Sequence, residues 1–394
     1  MATTNFDAGP AGKGTLSGAH GFIVNLLERG DIRIGGNRAW DITLLASGVP
    51  ERVLSRGSLG LGEAYMDGHW ECDHLDQFFE RVMRARLDEQ INPARLIIHA
   101  LRARLFNLQS VRRSWHVGKV HYDLGNAFYQ TMLDPRMAYT CGYWSSGAST
   151  LADAQEAKLD LICRKLGLQP GMRLLDIGCG WGSLMGFAAE RYGVECVGVT
   201  ISAEQANWAT QRYAGLPIEF RLQDYRTLNE RFDRIASVGM FEHVGRKNYR
   251  TYMEVAHRCL TDDGLFLLHT IGKNRKETAP DAWIDRYIFP NGELPSISQI
   301  ADAAGGLFVT EDLHNFGADY DRTLMAWHAN FEASWHEHAA ALGPRFYRMW
   351  RYYLLSCAGA FRAREIQLWQ WVLSRSGVAG GYTRPTIKNE PWDK

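Results

Sequence analysis

The chain has no excess of charge of either sign: 44 Lys and Arg balance 44 Asp and Glu. Nothing global therefore draws it to nucleic acid, and an electrostatic partner must be sought in local patches. Paired cysteines are missing as well. The seven, Cys72, Cys141, Cys163, Cys179, Cys196, Cys259 and Cys357, form no CxxC, and several sit in apolar runs. That pattern argues against a disulfide framework and a metal site, and points to a reducing, cytoplasmic compartment. No segment reaches the roughly 18 apolar residues that span a bilayer. The opening MATTNFDAGPAGKGTLSG lacks the apolar stretch of a secretory signal, so residues 1–18 are expected to be a disordered leader.

What is present is an ordinary globular balance, 46% hydrophobic and 22% charged over 394 residues, enough for two domains. Residues 19–90 read as a small N-terminal α+β domain. Its runs GDIRIGG and AWDITLLAS suggest a β-ribbon, and the SLGLGEAYMDGHWECDHLDQFFERVM that follows suggests a loop and a helix. Residues 91–119 form a basic connector, with Arg95, Arg102, Arg104, Arg112, Arg113 and Lys119 unopposed by acid. It is either a solvated linker or an amphipathic helix lying on an anionic membrane. Residues 120–394 alternate strand-like runs (MRLLDIGCG, VECVGVT, RIASVGM, GLFLLHTIG) with helical ones, which predicts an α/β domain on a parallel, doubly wound sheet. The stretch 326–376, dense in Trp, Tyr and Phe, reads as helical, mostly core, with some side chains available to line an apolar tunnel.

The strongest local chemistry lies in LLDIGCGWGSL. An apolar strand ends in Asp176, and Gly178, Gly180 and Gly182 follow before an amphipathic helix. Glycines let the backbone turn tightly and approach a ligand at the carboxyl end of a strand. The spacing DxGxGxG differs from the dinucleotide GxGxxG and resembles the S-adenosylmethionine loop of Rossmann-like methyltransferases. The next strand ends in Thr200 and Ser202, with Gln205 a turn on, where many methyltransferases place an acid for the ribose; neutral polar groups can still bond hydroxyls. Gln223 and Asp224 follow the third strand as candidate adenine contacts, or as ordinary loop polars.

HYDLGNAFY (121–129), YTCGYW (139–144), LLDIGCGWG (174–182), GVTISAEQ (198–205), MFEHVG (240–245), LLHTIG (267–272), FPNGELPS (289–296) and YLLSCAGAFR (353–362) together resemble, in order, the motifs of the cyclopropane-fatty-acid synthases. GSLGLGEAYMDGHWE (57–71) is similar to the N-terminal domain of the phospholipid-acting branch, which the shorter mycolic-acid enzymes lack. The resemblance implies a Rossmann-like S-adenosylmethionine-dependent transferase with helical lipid-binding additions, acting on cis double bonds of phospholipid acyl chains. It also implies a homodimer, associated peripherally with the inner membrane surface. It adds Tyr139 and Thr140 to the cofactor set, and implies a bound bicarbonate held by Cys141, Glu242, His269, Ile271 and Tyr320.

The chemistry accounts for such a set. An alkene is a weak nucleophile; its methylation leaves a carbocation, and a proton must leave the new methyl to close the ring. The pocket must be dry, and a base must stand beside it. Tyr320 and His269 can donate to the anion's oxygens, Glu242 can accept its O–H, and Cys141 and Ile271 act through the backbone. Taken singly, Cys141 could be a nucleophile, His269 a core histidine, Glu242 a helix cap and Tyr320 a packing aromatic. Because each exposed methylene costs about 0.8 kcal/mol, the acyl tunnel must open directly onto lipid, which favours the membrane reading of 91–119. The alternatives are an acyl-chain methyltransferase giving a methyl or methylene branch, a non-catalytic cofactor-binding scaffold, and a small-molecule N- or O-methyltransferase.

Overall fold

The computed structural model describes residues 18–91, 125–276 and 280–385. The leader and the basic connector therefore lie almost wholly outside the described residues.

Among the described residues, after the short strands β1 (Thr43–Leu44) and β2 (Trp70–Glu71), a seven-stranded sheet carries the molecule. Its strands are β3 (Arg173–Ile177), β4 (Glu195–Thr200), β5 (Ile218–Leu222), β6 (Phe232–Val238), β7 (Leu260–Lys273), β8 (Val309–Asn315) and β9 (Ile366–Ser374), in the order β5-β4-β3-β6-β7-β9-β8. The first five run parallel. Strand β9 is antiparallel to both neighbours, so the sheet is mixed rather than parallel throughout. Alternate side chains serve opposite faces, as the strand period requires. Leu174, Ala236, Leu267 and Val372 belong to one core cluster, and Leu175, Ile235, Leu268 and Leu373 to another. The helix Leu151–Lys165 covers the first face. A capping box between Thr150 and Asp153 starts it, satisfying amides that a helix N-terminus leaves unpaired. The helices Tyr249–Cys259 and Ile297–Ala304 cover the second.

The aromatic C-terminal stretch departs from expectation. It is helical over Ala318–Arg362, broken at Gly343 before Pro344, but IQLWQWVLS is strand β9. Eight of its nine residues are buried, and a strand buried on both faces reads as a continuous apolar run whose period does not distinguish it from a buried helix.

The N-terminal segment also differs. The two runs expected to form a ribbon pair as strands at a single isolated bridge, Ile34–Ile42. Asp41 explains this: it accepts the amides of Arg33 (2.8 Å) and Arg38 (3.1 Å) and the Arg38 guanidinium, closing a stapled loop in place of a hairpin. Thr43–Leu44 pairs instead with Trp70–Glu71. The Gly-rich SLGLGEAYM lies within a helix, Val49–Met66, kinked at Gly57. A Cβ at Gly62 would collide with the Trp283 indole, and one at Gly359 with the Asp76 carbonyl, so these glycines permit close packing. Ile23, Tyr65, Trp70 and Phe78 share one apolar cluster with Trp327, Phe331, Trp350 and Tyr352 of the long helix. All seven cysteines are free. No helix among the described residues is long and apolar enough to cross a membrane.

Candidate active site

Everything singled out for chemistry lies at the carboxyl ends of the parallel strands or on elements packed over them. Past β3, Gly178, Gly180 and Gly182 all have positive φ (87°, 53° and 79°), which side chains disfavour. The amides of Gly178 and Cys179 both bond the Val199 carbonyl, pinning the turn to β4. Asp176 is buried, and its Oδ1 has no hydrogen-bond partner. Burial pushes its carboxyl up to about 7 against the pull of Lys158.

The remaining cofactor candidates divide. Thr200 accepts the Ser202 amide at 3.1 Å and lies 3.5 Å from Gln205 Oε1. The Ser202 hydroxyl caps the helix Ala203–Arg212 by accepting the Gln205 amide, so local structure occupies it. Gln223 donates to Thr227 at 2.8 Å. Asp224 gives both oxygens to Arg226 and caps a short turn, so a ligand would have to share them. The Tyr139 ring packs at a tilt against Trp327 (5.1 Å between centroids) and its hydroxyl meets that of Tyr353 at 3.0 Å. The Thr140 hydroxyl accepts from Lys158 Nζ at 2.8 Å, and its carbonyl accepts from Gln155 at 2.7 Å.

The five residues of the expected anion site come from four segments of the chain, His269 and Ile271 sharing β7. Glu242 follows β6 on a one-turn helix. Its Oε1 accepts the Ile271 amide of β7 at 2.7 Å, whereas Oε2 is buried without a partner. Burial, opposed chiefly by that amide, raises the carboxyl to about 7. His269 lies two residues before Ile271, on the same face of β7. Its Nδ1 meets Gln370 Nε2 of β9, directly across the strand pair, at 3.1 Å. An amide nitrogen donates, so Nδ1 accepts and the proton sits on Nε2, which has no partner. Burial holds this ring far below its ordinary pKa, and therefore neutral.

Tyr320 stacks on Phe361 with centroids 4.5 Å apart. Burial, reinforced by nearby Cys141 and Glu242, keeps its phenol protonated. The Cys141 thiol is fully buried, and burial raises its pKa well above the usual value, so it is no thiolate. The structure thus joins Glu242 to Ile271, brings Cys141 and Glu242 within electrostatic reach of Tyr320, and puts His269 on the same strand as Ile271.

Several contributors were missed in the sequence. Thr323 accepts from the Gly142 amide (3.0 Å) and the Trp144 indole (2.9 Å), and Asp319 accepts from Ser145, so the long helix grips the YTCGYW loop. Gln370 lay in the stretch read as helix. Lys158 and Gln155 looked like ordinary polar positions of an amphipathic helix; the only signal was the pair's spacing of three, which puts both on one face.

The family model described as mycolic acid cyclopropane synthetase matches residues 109–371. The cyclopropane-fatty-acyl-phospholipid synthase of Escherichia coli (strain K12) is 57% identical over 357 residues, covering 90% of this chain and 93% of that one. Cyclopropane mycolic acid synthase 1 of Mycobacterium tuberculosis (strain ATCC 25618 / H37Rv) is 38% identical over 276 residues, 65% of this chain and 96% of its own. The crystal structure of mycolic acid cyclopropane synthase CmaA1 complexed with SAH and CTAB is similar at a TM-score of 0.61 and 36% identity, covering 66% of this chain and 97% of that one.

Proposed function

Because the chain belongs to the mycolic acid cyclopropane synthetase family, we propose that it transfers a methylene from S-adenosylmethionine to the cis double bond of unsaturated phospholipid acyl chains. Its fold is that of the S-adenosylmethionine-dependent methyltransferases, and it is an enzyme of that class. When bound, S-adenosylmethionine supplies an electrophilic methyl and bicarbonate supplies the base.

One observation carries the reading of the base. A buried acceptor, Glu242 Oε2, and a buried donor, His269 Nε2, both lack partners, beside a phenol kept protonated. Native structures rarely leave such groups unsatisfied. A hydrogencarbonate ion, with one O–H and two bare oxygens, fits this set. Glu242 accepts the O–H and fixes the anion's orientation; His269 and Tyr320 donate to its oxygens. The Ile271 amide acts through Glu242, holding Oε1 so that Oε2 stays turned to the anion. Cys141 lines the site as a neutral thiol. The carboxylate and the aromatic faces of Tyr139, Trp327 and Tyr353 favour developing positive charge and exclude water. The glycine turn and the unpaired Asp176 Oδ1 suit the cofactor, with Thr140, Thr200 and Gln205 at hand.

The acyl pocket must open onto lipid, and the basic segment 91–119, outside the described residues, is the proposed contact with an anionic inner-membrane surface. A homodimer is proposed with it, and analytical ultracentrifugation tests that. The function itself is tested by mass spectrometry of lipids from cells expressing the protein. Phospholipids heavier by one CH₂ that no longer react with ozone support ring formation. A branched chain that keeps an unsaturation would replace it with the methyl-transfer reading.

A further inference from the structure

Lys158 sits in the middle of the helix Leu151–Lys165 and is 1% exposed. A buried ammonium is costly unless its charge and its protons are met. Its Nζ donates to the Thr140 hydroxyl, a neutral partner, and among the described residues it makes no ion pair. The carboxylates it feels, at longer range, are Asp134 and Asp176. Asp134 is already occupied by the amides of Arg136 (2.9 Å) and Ala138 (2.8 Å). Asp176 is equally buried and has an unpaired oxygen. An anionic group at the foot of the glycine turn and a cationic group on the helix Leu151–Lys165 therefore feel each other without forming an ion pair, and both keep unused hydrogen-bonding capacity.

An amino-acid head complements this arrangement: an α-ammonium for Asp176 and an α-carboxylate for Lys158. We infer that Lys158 is a cofactor-binding residue whose ammonium, together with the Thr140 hydroxyl it holds, receives the α-carboxylate of S-adenosylmethionine. The inference rests on the cofactor reading of the glycine turn. Two further facts fit it. Burial brings Lys158 down to about 8 and Asp176 up to about 7, and a bound zwitterion supplies each with its counter-charge. Thr140 is also locked from the other side, because its methyl occupies the space a side chain at Gly239 would need.

The test is calorimetric titration of the full chain with S-adenosylhomocysteine and with its decarboxylated analogue, the 3-aminopropyl thioether of adenosine. Lys158→Met should weaken S-adenosylhomocysteine by roughly 10- to 100-fold, the range of a lost charge-assisted hydrogen bond, and leave the carboxylate-free analogue unchanged. Lys158→Gln, which keeps a donor for Thr140 but no charge, should behave the same way, and it carries the comparison if the Met variant fails to fold. Unchanged S-adenosylhomocysteine affinity overturns the inference. Equal weakening of both ligands also overturns it, and makes Lys158 a prop for the 139–144 loop. Failure of the wild-type chain to bind either ligand would instead remove the cofactor reading itself.

Discussion

Glu242→Gln separates the chemistry of the site from its cost to the fold. In the wild-type chain Oε1 holds the Ile271 amide and Oε2 stands alone. A glutamine can keep the first bond with its carbonyl oxygen, which puts its NH₂ where Oε2 was, a donor where the anion's O–H needs an acceptor. Turnover should fall at least ~100-fold, equivalent to about 2.7 kcal/mol of transition-state stabilisation. S-adenosylhomocysteine affinity should stay the same. Stability should move the other way. The buried carboxyl titrates near 7 when folded, against its usual 4.5, so it holds its proton more tightly in the folded state. As pH rises through that window the unfolded chain gives up its proton first, and stability is lost, by about 3 kcal/mol once pH is well above 7. Glutamine has no such titration. In carbonate-free buffer, the variant's advantage in urea unfolding should therefore grow by about 2 kcal/mol between about pH 5.5 and pH 8. Turnover within a few-fold of wild type would refute the orienting role. A stability difference that does not change with pH would refute the buried, uncompensated carboxylate.

Four further outcomes are expected. Cys141→Ser should keep a substantial fraction of activity, since the thiol is protonated and only lines the site; complete loss in a folded variant that still binds S-adenosylhomocysteine would give the sulfur a chemical role. Wild-type enzyme dialysed free of carbonate should slow and recover saturably with added bicarbonate. Tyr320→Phe should raise the half-saturating bicarbonate concentration several-fold, the worth of one neutral donor at ~0.5–1.5 kcal/mol, and a slower rate with unchanged bicarbonate dependence would contradict its contact with the anion. Reversing Arg102, Arg104, Arg112 and Arg113 to Glu should weaken binding to anionic vesicles by ~1 kcal/mol per charge; unaltered binding and salt dependence would reduce the segment to a linker.

The parts of this molecule legible in its sequence are those whose signal is local. The turn after β3 announces itself because positive φ demands glycine, and strand and turn lie within a dozen residues. Four of the parallel strands, β3, β4, β6 and β7, are legible because each holds a short apolar run between helical ones, whereas β5, IEFRL, does not. Strand β9 was not, because its burial on both faces erases the period-two alternation, leaving IQLWQWVLS indistinguishable from more of the helix before it. That misreading hid Gln370, and with it the tautomer of His269: nothing near residue 269 says which ring nitrogen carries the proton, and the answer arrives from across the sheet. The N-terminal ribbon failed for the same reason in reverse. Alternation was present at 31–36 and 40–46, but one side chain, Asp41, captured amides that a hairpin would have paired. Lys158 marks the limit. In sequence it is a cation in a helix of mixed polarity, and only the tertiary structure shows it to be 1% exposed with the Thr140 hydroxyl as its one hydrogen-bonded partner among the described residues. Residues that make a site by closing distance between remote segments leave a trace only in what they fail to satisfy, here an oxygen of Asp176, an oxygen of Glu242 and a nitrogen of His269. These three atoms, which sequence alone could not single out, are the ones on which the proposed chemistry depends.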